Sequence, residues 1–363
     1  MDNKKKKNSS WNIKIGKFIF RIAAVVFTFV AALALTVVIM LSMFCSDKFP
    51  NVQKTFVTTI LETGQLKFLA SWFLSAEEIQ AIVDQNSMKA FNVEINTELI
   101  QSSNSGSVNA EGEEEQGEDI EIVEVAGSTY TGTMMIVKDP SRISLATIYP
   151  WKEKGVTLDQ LVNDNGAVAG INGGLYDSSN NSGGRPYGVV VSNGEIQRNK
   201  PQEYPGLVLI GFTEEHILQI VDISHMNSND VEQLVADMKI RDAVTFQEEA
   251  SDANNHFVQL IINNETREMN GMGSGLNPRT AIGQRADGAV LMFVTDGRGK
   301  SGHLGASCSD LISVMRDFGA VNAANLDGGS SSCMYYNNEY LMASVTFYYA
   351  NSSWKLPAGF IVK

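Results

Sequence analysis

The sequence predicts an α/β (α+β) protein: a mixed β-sheet domain with flanking helices, preceded by an N-terminal transmembrane helix and a short helical segment. Three observations carry that prediction. An almost unbroken apolar run, Phe18 to Phe44, follows a lysine-rich start. Residues 50–92 then show helical periodicity. From Ile120 onward the chain changes to short β-rich runs bounded by turn residues, with helical patterns between some of them.

The chain of 363 residues carries a formal net charge of −13, unevenly spread. Residues 1–21 hold seven basic groups against Asp2, which leaves 21 basic and 40 acidic residues in the remainder. So acidic a body repels phosphate backbones, and nucleic acid is not an expected partner. The apolar run is broken only by Arg21, Thr28, Thr36 and Ser42. It exceeds the roughly 20 residues that cross a bilayer core. The lysines on its N-terminal side predict a single-pass cell-membrane protein with its N-terminus in and everything after residue 45 outside the cytoplasm. A cleaved signal peptide would have an apolar core of about 7–15 residues and a small-x-small site. "LSMFCSDKF" offers no clear site of that kind, and Cys45 follows the bulky Met43-Phe44.

The basic tail therefore covers residues 1–17, the transmembrane helix 18–44 and a juxtamembrane helical segment 45–100. In that segment Phe56, Ile60, Phe68, Trp72 and Phe73 fall near one helical face, and "SAEEI" (75–79) has the capping-box form. It reads as an amphipathic helix pair, a scaffold beside the membrane. Residues 101–119 are rich in Glu, Ser and Gly and nearly free of large apolar side chains. Such a run cannot bury enough surface to offset its ordering entropy and reads as an acidic disordered linker.

Residues 120–363 form the remaining domain. Its predicted strands lie in "IEIVEVAG", "YTGTMMIV", "RISLATIY", "AVAGIN", "YGVVVSNGEI", "GLVLIGF", "FVQLIIN", "AVLMFVTDG", "AANLDGG" and "CMYY", with helices at 157–164, 229–239 and 306–318. A mixed sheet and two packed sheets both fit this pattern. Three cysteines, Cys45, Cys308 and Cys333, make neither a disulfide scaffold nor a Cys-rich zinc site. Cys308 and Cys333 either pair or are two buried free thiols.

Four stretches set polar groups beside glycine where a strand ends: "GINGGLYD" (170–177), "NPRTAIG" (277–283), "TDGRGKSG" (295–302) and "NLDGGSSS" (325–332). Glycine there permits positive φ and close approach of a ligand to backbone N–H groups. One such stretch is a tight turn. Four, carrying Asn172, Arg279, Thr280, Asp296, Arg298 and Asp327, point to one common site. "GRGKSG" lacks the first glycine of a P-loop, "GGSSS" is no nucleophile elbow, and the four histidines form no metal pair. No cofactor and no metal is expected. His303 follows the Asp-Gly-Arg turn and could line the site.

The ordered set "INGGLYD", "RPYGVVVSNGEI", "NPRTAIG", "VTDGRGKSGHLGASCSDL" and "FGAVNAANLDGGSSSCMYY" resembles the phosphodiester glycosidases over roughly residues 120–363. That family includes the "uncovering" enzyme domain, which removes N-acetylglucosamine from a sugar-phosphodiester, and bacterial exopolysaccharide-related members. The resemblance implies hydrolysis of a sugar-1-phosphodiester, of a cell-envelope glycan or similar glycoconjugate, to free sugar and a phosphomonoester. It implies Asp327 and Asp296 as catalytic carboxylates. Arg279 and Arg298 would grip the phosphate, because their planar forks match its oxygens. Asn172, Thr280 and Ser330 would contact substrate, with backbone donors from Gly173, Gly174, Gly328 and Gly329. A non-catalytic glycan-binding or envelope-organising module, and a phosphodiesterase cutting the P–O bond, are the competing readings.

Overall fold

Helix α1 (Asp2–Phe44) contains an apolar stretch, Gly16–Phe44, whose 29 residues are long and apolar enough to cross a membrane, a property shared by anchors and signal sequences. Its interior hydroxyls are satisfied locally. Thr28 and Thr36 each donate to the carbonyl four residues back, Ala24 and Ala32, at 2.9 Å, so neither leaves a bare donor on the apolar surface. The computed structural model describes residues 2–63, 66–91, 93–101, 119–251, 253–346 and 351–363.

The juxtamembrane segment holds α2 (Pro50–Leu61), α3 (Phe68–Ser71) and α4 (Ala76–Asp84). Pro50 opens α2, where its missing N–H costs nothing, and the predicted capping box at Ser75 and Glu78 opens α4. The single apolar face predicted from Phe56 to Phe73 does not form. Ile60 is buried, but Phe68 and Trp72 are 47% and 64% exposed. The helix breaks between Leu61 and Phe68, so a 3.6-residue period cannot carry one face across it. Nor does the segment stand apart from the rest of the chain. Met88 bridges to Met269, Asn96 N–H donates to Asn263 Oδ1 at 2.8 Å, and Gln101 N–H donates to the Ala286 carbonyl at 2.8 Å. The acidic run predicted as a linker lies outside the described residues except for Gln101 and Asp119.

Beyond it the strands form three main sheets, and every pairing among the described residues is antiparallel. Of the two arrangements the sequence leaves open, packed sheets come nearer, with three main sheets in place of two. The largest runs Ile120–Ala126, Thr131–Val137, Val290–Thr295, Thr280–Arg285, Ala320–Asn325, Gln259–Ile262, Glu265–Thr266. A second runs Glu339–Met342, Met334–Tyr336, Ala169–Asn172, Ala358–Val362, Ile143–Thr147. The third runs Glu195–Asn199, Val189–Ser192, Ile240–Gln247, Leu207–Thr213, Leu218–Asp222. One core, including Met135, Ile171, Ile210, Met292 and Phe360, is shared among all three. Helices α5 (Leu158–Asp164), α6 (Ser228–Asp237) and α7 (Cys308–Asp317) each cover the outer face of a different sheet.

Cys308 and Cys333 belong to separate apolar clusters, beneath α7 and beside α5, and both are free thiols, as is Cys45. Burial pushes the Cys308 and Cys333 thiols up, which suppresses the reactive thiolate. Alkylation without reductant should therefore label all three cysteines in denaturant and neither Cys308 nor Cys333 in the native protein. Peptide masses showing a Cys308–Cys333 link would contradict this.

Candidate active site

Antiparallel pairing decides where the polar stretches meet. Thr280 opposes Val294 and Ala281 opposes Asn325, so the start of one central strand lies between the ends of its two neighbours. Arg279, Asp296 and Asp327 consequently emerge at the same edge of the large sheet. Asn172 is delivered there by the second sheet, as the last residue of its strand.

Asn172 is fully buried and works as a junction. Its Nδ2 donates to the Asp327 carbonyl at 2.7 Å, while its Oδ1 accepts from Thr280 Oγ1 at 2.7 Å and Cys333 N–H at 3.2 Å. Thr280 Oγ1 also lies 3.1 Å from Ser332 Oγ. Asn172 and Thr280 therefore hold the Asp327 turn; their polar atoms face one another. Gly174 is required because a Cβ there would sit 2.3 Å from the Thr245 carbonyl.

Asp327 carries the carboxylate of the site. Burial pushes its carboxyl up to about 6, partly offset by the Ser331 hydroxyl, the Gly328 N–H and the Arg298 guanidinium. Ser331 is itself steadied by the Tyr176 hydroxyl at 2.9 Å. Gly328 N–H is thus spent on Asp327, and Gly329 N–H donates to the Pro278 carbonyl at 2.8 Å. These two glycines are not the open substrate donors predicted for them. Gly329 has another use. It adopts φ +62°, and a Cβ on it would lie 2.5 Å from the Arg298 guanidinium, so glycine makes room for the arginine.

Arg298 is exposed and reaches across this turn, donating to Ser330 Oγ at 2.8 Å. Its loop is closed by Arg298 N–H to the Leu304 carbonyl and Gly299 N–H to the His303 carbonyl. Asp296, predicted as a second open carboxylate, is 3% exposed and has both oxygens engaged. One accepts from Thr131 N–H at 2.8 Å; the other takes the Thr131 hydroxyl at 2.8 Å and His303 Nδ1 at 2.7 Å. It anchors the loop that presents Arg298, and through that bond it fixes the His303 ring.

Arg279 departs furthest from its predicted place. Its guanidinium is buried behind the site, paired with Glu62 and bonded to Ser274 Oγ and the Gly275 and Ala306 carbonyls. With Nε and Nη2 engaged in this way, the guanidinium serves the interior rather than offering both prongs of its fork to a phosphate. Glu62, just past α2, also accepts from Gly275 N–H at 2.6 Å and Asn277 Nδ2 at 3.3 Å. Sequence reading missed this residue because it sits in a segment read as scaffold, more than two hundred positions from its partner. Burial pushes its carboxyl up to about 6 despite Arg279 and Gly275.

A family model described as phosphodiester glycosidase matches residues 165–363, more than half of the chain. A prophage-derived uncharacterised protein of Bacillus subtilis, YomE, is 38% identical over 65 residues, 18% of this chain and 10% of that relative's length. Among solved structures, the zebrafish N-acetylglucosamine-1-phosphodiester alpha-N-acetylglucosaminidase catalytic domain, auto-inhibited by its pro-peptide, is 16% identical with a TM-score of 0.52. That match covers 68% of this chain and 84% of the zebrafish one, and it shows a shared fold. A hypothetical protein from Synechocystis is 17% identical over 67% of this chain and 61% of its own, with a TM-score of 0.41.

Removing one half of a buried ion pair leaves the other charge stranded, at a cost of about 3–5 kcal/mol. Glu62→Ala should lower thermal stability by that amount. Adding Arg279→Met should restore most of it. Additive losses in the double variant would show that the two side chains are not coupled.

Proposed function

The chain belongs to the phosphodiester glycosidase family, and on that premise we propose that it is a membrane-anchored, extracytoplasmic hydrolase of a sugar-1-phosphodiester. It would break the C1–O bond and release free sugar and a phosphomonoester, the source being a cell-envelope glycan or similar glycoconjugate. What supports this best is the desolvated Asp327 carboxylate on a glycine turn beside the guanidinium of Arg298. The apolar helix Gly16–Phe44 supports the anchoring.

The chemistry suits those groups. A phosphate monoester leaves with the bonding pair and is already a good leaving group, so it needs little help from an acid. Arg298 offers its planar fork to the phosphate oxygens. Asp327 faces the positive charge that develops at C1, in surroundings where burial strengthens the attraction. Water then adds to C1 and its proton passes to solvent. Ser330 moves with Arg298, whose guanidinium it accepts. Asn172 and Thr280 act by fixing the Asp327 turn, with Gly173 and Gly174 letting the chain pass close to neighbouring backbone. Asp296 acts by holding the Arg298 loop.

Incubating the full-length protein in detergent with sugar-1-phosphodiesters and identifying the products separates the readings. Free reducing sugar supports glycosidic cleavage. A sugar phosphate would instead mean P–O cleavage, and no product on any phosphodiester a binding module. Asp327→Asn should slow turnover about 100- to 1,000-fold. Asp327 must be ionised to act, so kcat/KM should rise as pH climbs through about 6. The same raised carboxyl contributes stability that is fully present below its ordinary pKa near 3.8 and lost as pH rises through about 6. Asp327→Asn should accordingly be more stable than wild type at pH 8 by about 3 kcal/mol, with the gap closing near pH 4. A variant that melts lower at pH 8 would identify Asp327 as a structural turn cap. Protease added to intact cells should remove the domain; persistent protection would reverse the proposed orientation.

A further inference from the structure

A cavity of about 420 Å³ opens between the third sheet and the juxtamembrane segment, within the roughly 300–1,000 Å³ typical of small-molecule sites. We infer that this cavity, walled by Tyr187, Tyr204, Gln247, Glu249, Asn254 and His256, is a subsite for an uncharged pyranose ring, and that Lys67 of the juxtamembrane segment completes it.

Two contacts tie the cavity wall to the strands that carry the candidate site. Leu175, on its wall, follows the Asn172-Gly173-Gly174 stretch and is held by its N–H to the Thr245 carbonyl at 2.8 Å. On the other side, Asn325 Nδ2 donates to the Phe257 carbonyl at 2.8 Å, tying the residue beside His256 to the strand that ends just before Asp327.

The wall chemistry selects the ligand. Tyr187 and Tyr204 are paired with ring centroids 4.9 Å apart, giving an aromatic surface for the C–H face of a sugar. Glu249 is saturated by neutral donors, Gln247 Nε2 at 2.6 Å, Ser251 Oγ at 2.8 Å and Asn254 Nδ2 at 2.7 Å. Lys67 is bonded to Asn254 Oδ1 in turn. One positive and one negative group thus offset each other, and no surplus cation remains to attract a phosphate. His256 Nδ1 is shut from solvent without a hydrogen-bond partner among the described residues, as are both amide atoms of Asn255 and Oδ1 of Asn325. A native interior seldom leaves so many polar atoms unpaired, and their place beside the cavity marks this wall as an unusually polar one. Burial, with Lys67 and Arg279 nearby, pulls the imidazole down to about 3, so it stays neutral. Hydroxyls on a neutral ring match this set of groups.

The inference rests on the hydrolase reading for the orientation of the ring toward Asp327, so the test measures binding without turnover. Saturation-transfer NMR on the full-length protein in detergent would use the methyl glycosides of glucose, galactose and N-acetylglucosamine. At least one should bind to wild type and to Asp327→Asn alike. Tyr204→Ala should weaken it about 3- to 10-fold, and Lys67→Met, which leaves the aromatic pair intact, should weaken it too, each with an unchanged melting temperature. Silence from all three glycosides, or affinities untouched by both variants, would overturn the assignment. Glycoside binding that responds to the variants without hydrolysis of any phosphodiester would keep the subsite and remove the hydrolase reading. Hydrolysis with no glycoside bound would do the reverse.

Discussion

The Asn172 amide is the point on which the site depends. It is buried where two sheets meet, and its three hydrogen bonds run to the Asp327 carbonyl, the Thr280 hydroxyl and the Cys333 N–H. A buried primary amide is costly to leave unpaired, so the geometry that satisfies it is strongly selected. That geometry is also the one that turns Asp327 toward the Arg298 loop. This polar junction fixes how the two sheets meet at the site, while the shared apolar core holds the sheets together.

A second constraint acts from outside the family-matched region. Glu62 and Arg279 bury opposite charges together, and desolvation takes back much of what their attraction provides. Such a pair contributes little net stability but strongly specifies which surfaces meet. The neighbouring contacts agree: Thr59 Oγ1 accepts from Leu276 N–H at 3.0 Å, and Asn277 links Glu62 to Arg298 Nε. The juxtamembrane segment is thus joined to the same loop that carries the exposed arginine.

Much of this was legible in the sequence, for physical reasons that can be named. Strands rich in Val, Ile and Met, such as Thr131–Val137 and Val290–Thr295, announce themselves by composition. Thr280–Arg285 does not: "TAIGQR" has too few large apolar groups, because Gly283 sits against the neighbouring strand at a position where a Cβ would come within 2.9 Å of the Asn322 carbonyl. The glycine-polar stretches meet at one end of the large sheet, where crowded backbone at the strand ends favours glycine. Their individual roles were less legible. Whether an arginine faces a ligand or a buried acid depends on a partner far away in sequence, and nothing local to Arg279 names Glu62. Composition likewise left the state of Cys308 and Cys333 open, since pairing is decided by which cores they join.

The two ends of the acidic stretch are fixed to one body: Gln101 N–H bonds the Ala286 carbonyl, and Lys138 N–H bonds the Asp119 carbonyl at 3.1 Å. Because both ends are tied to the same body, the distance between that body and α1 is not set by the stretch between them. Reach is governed instead by the few residues between α1 and α2, where Gln53 Nε2 bonds the Cys45 carbonyl at 2.8 Å and the Phe44 and Phe56 rings meet. If α1 spans the bilayer, this short connection confines the domain to what lies within about its own height of the lipid surface.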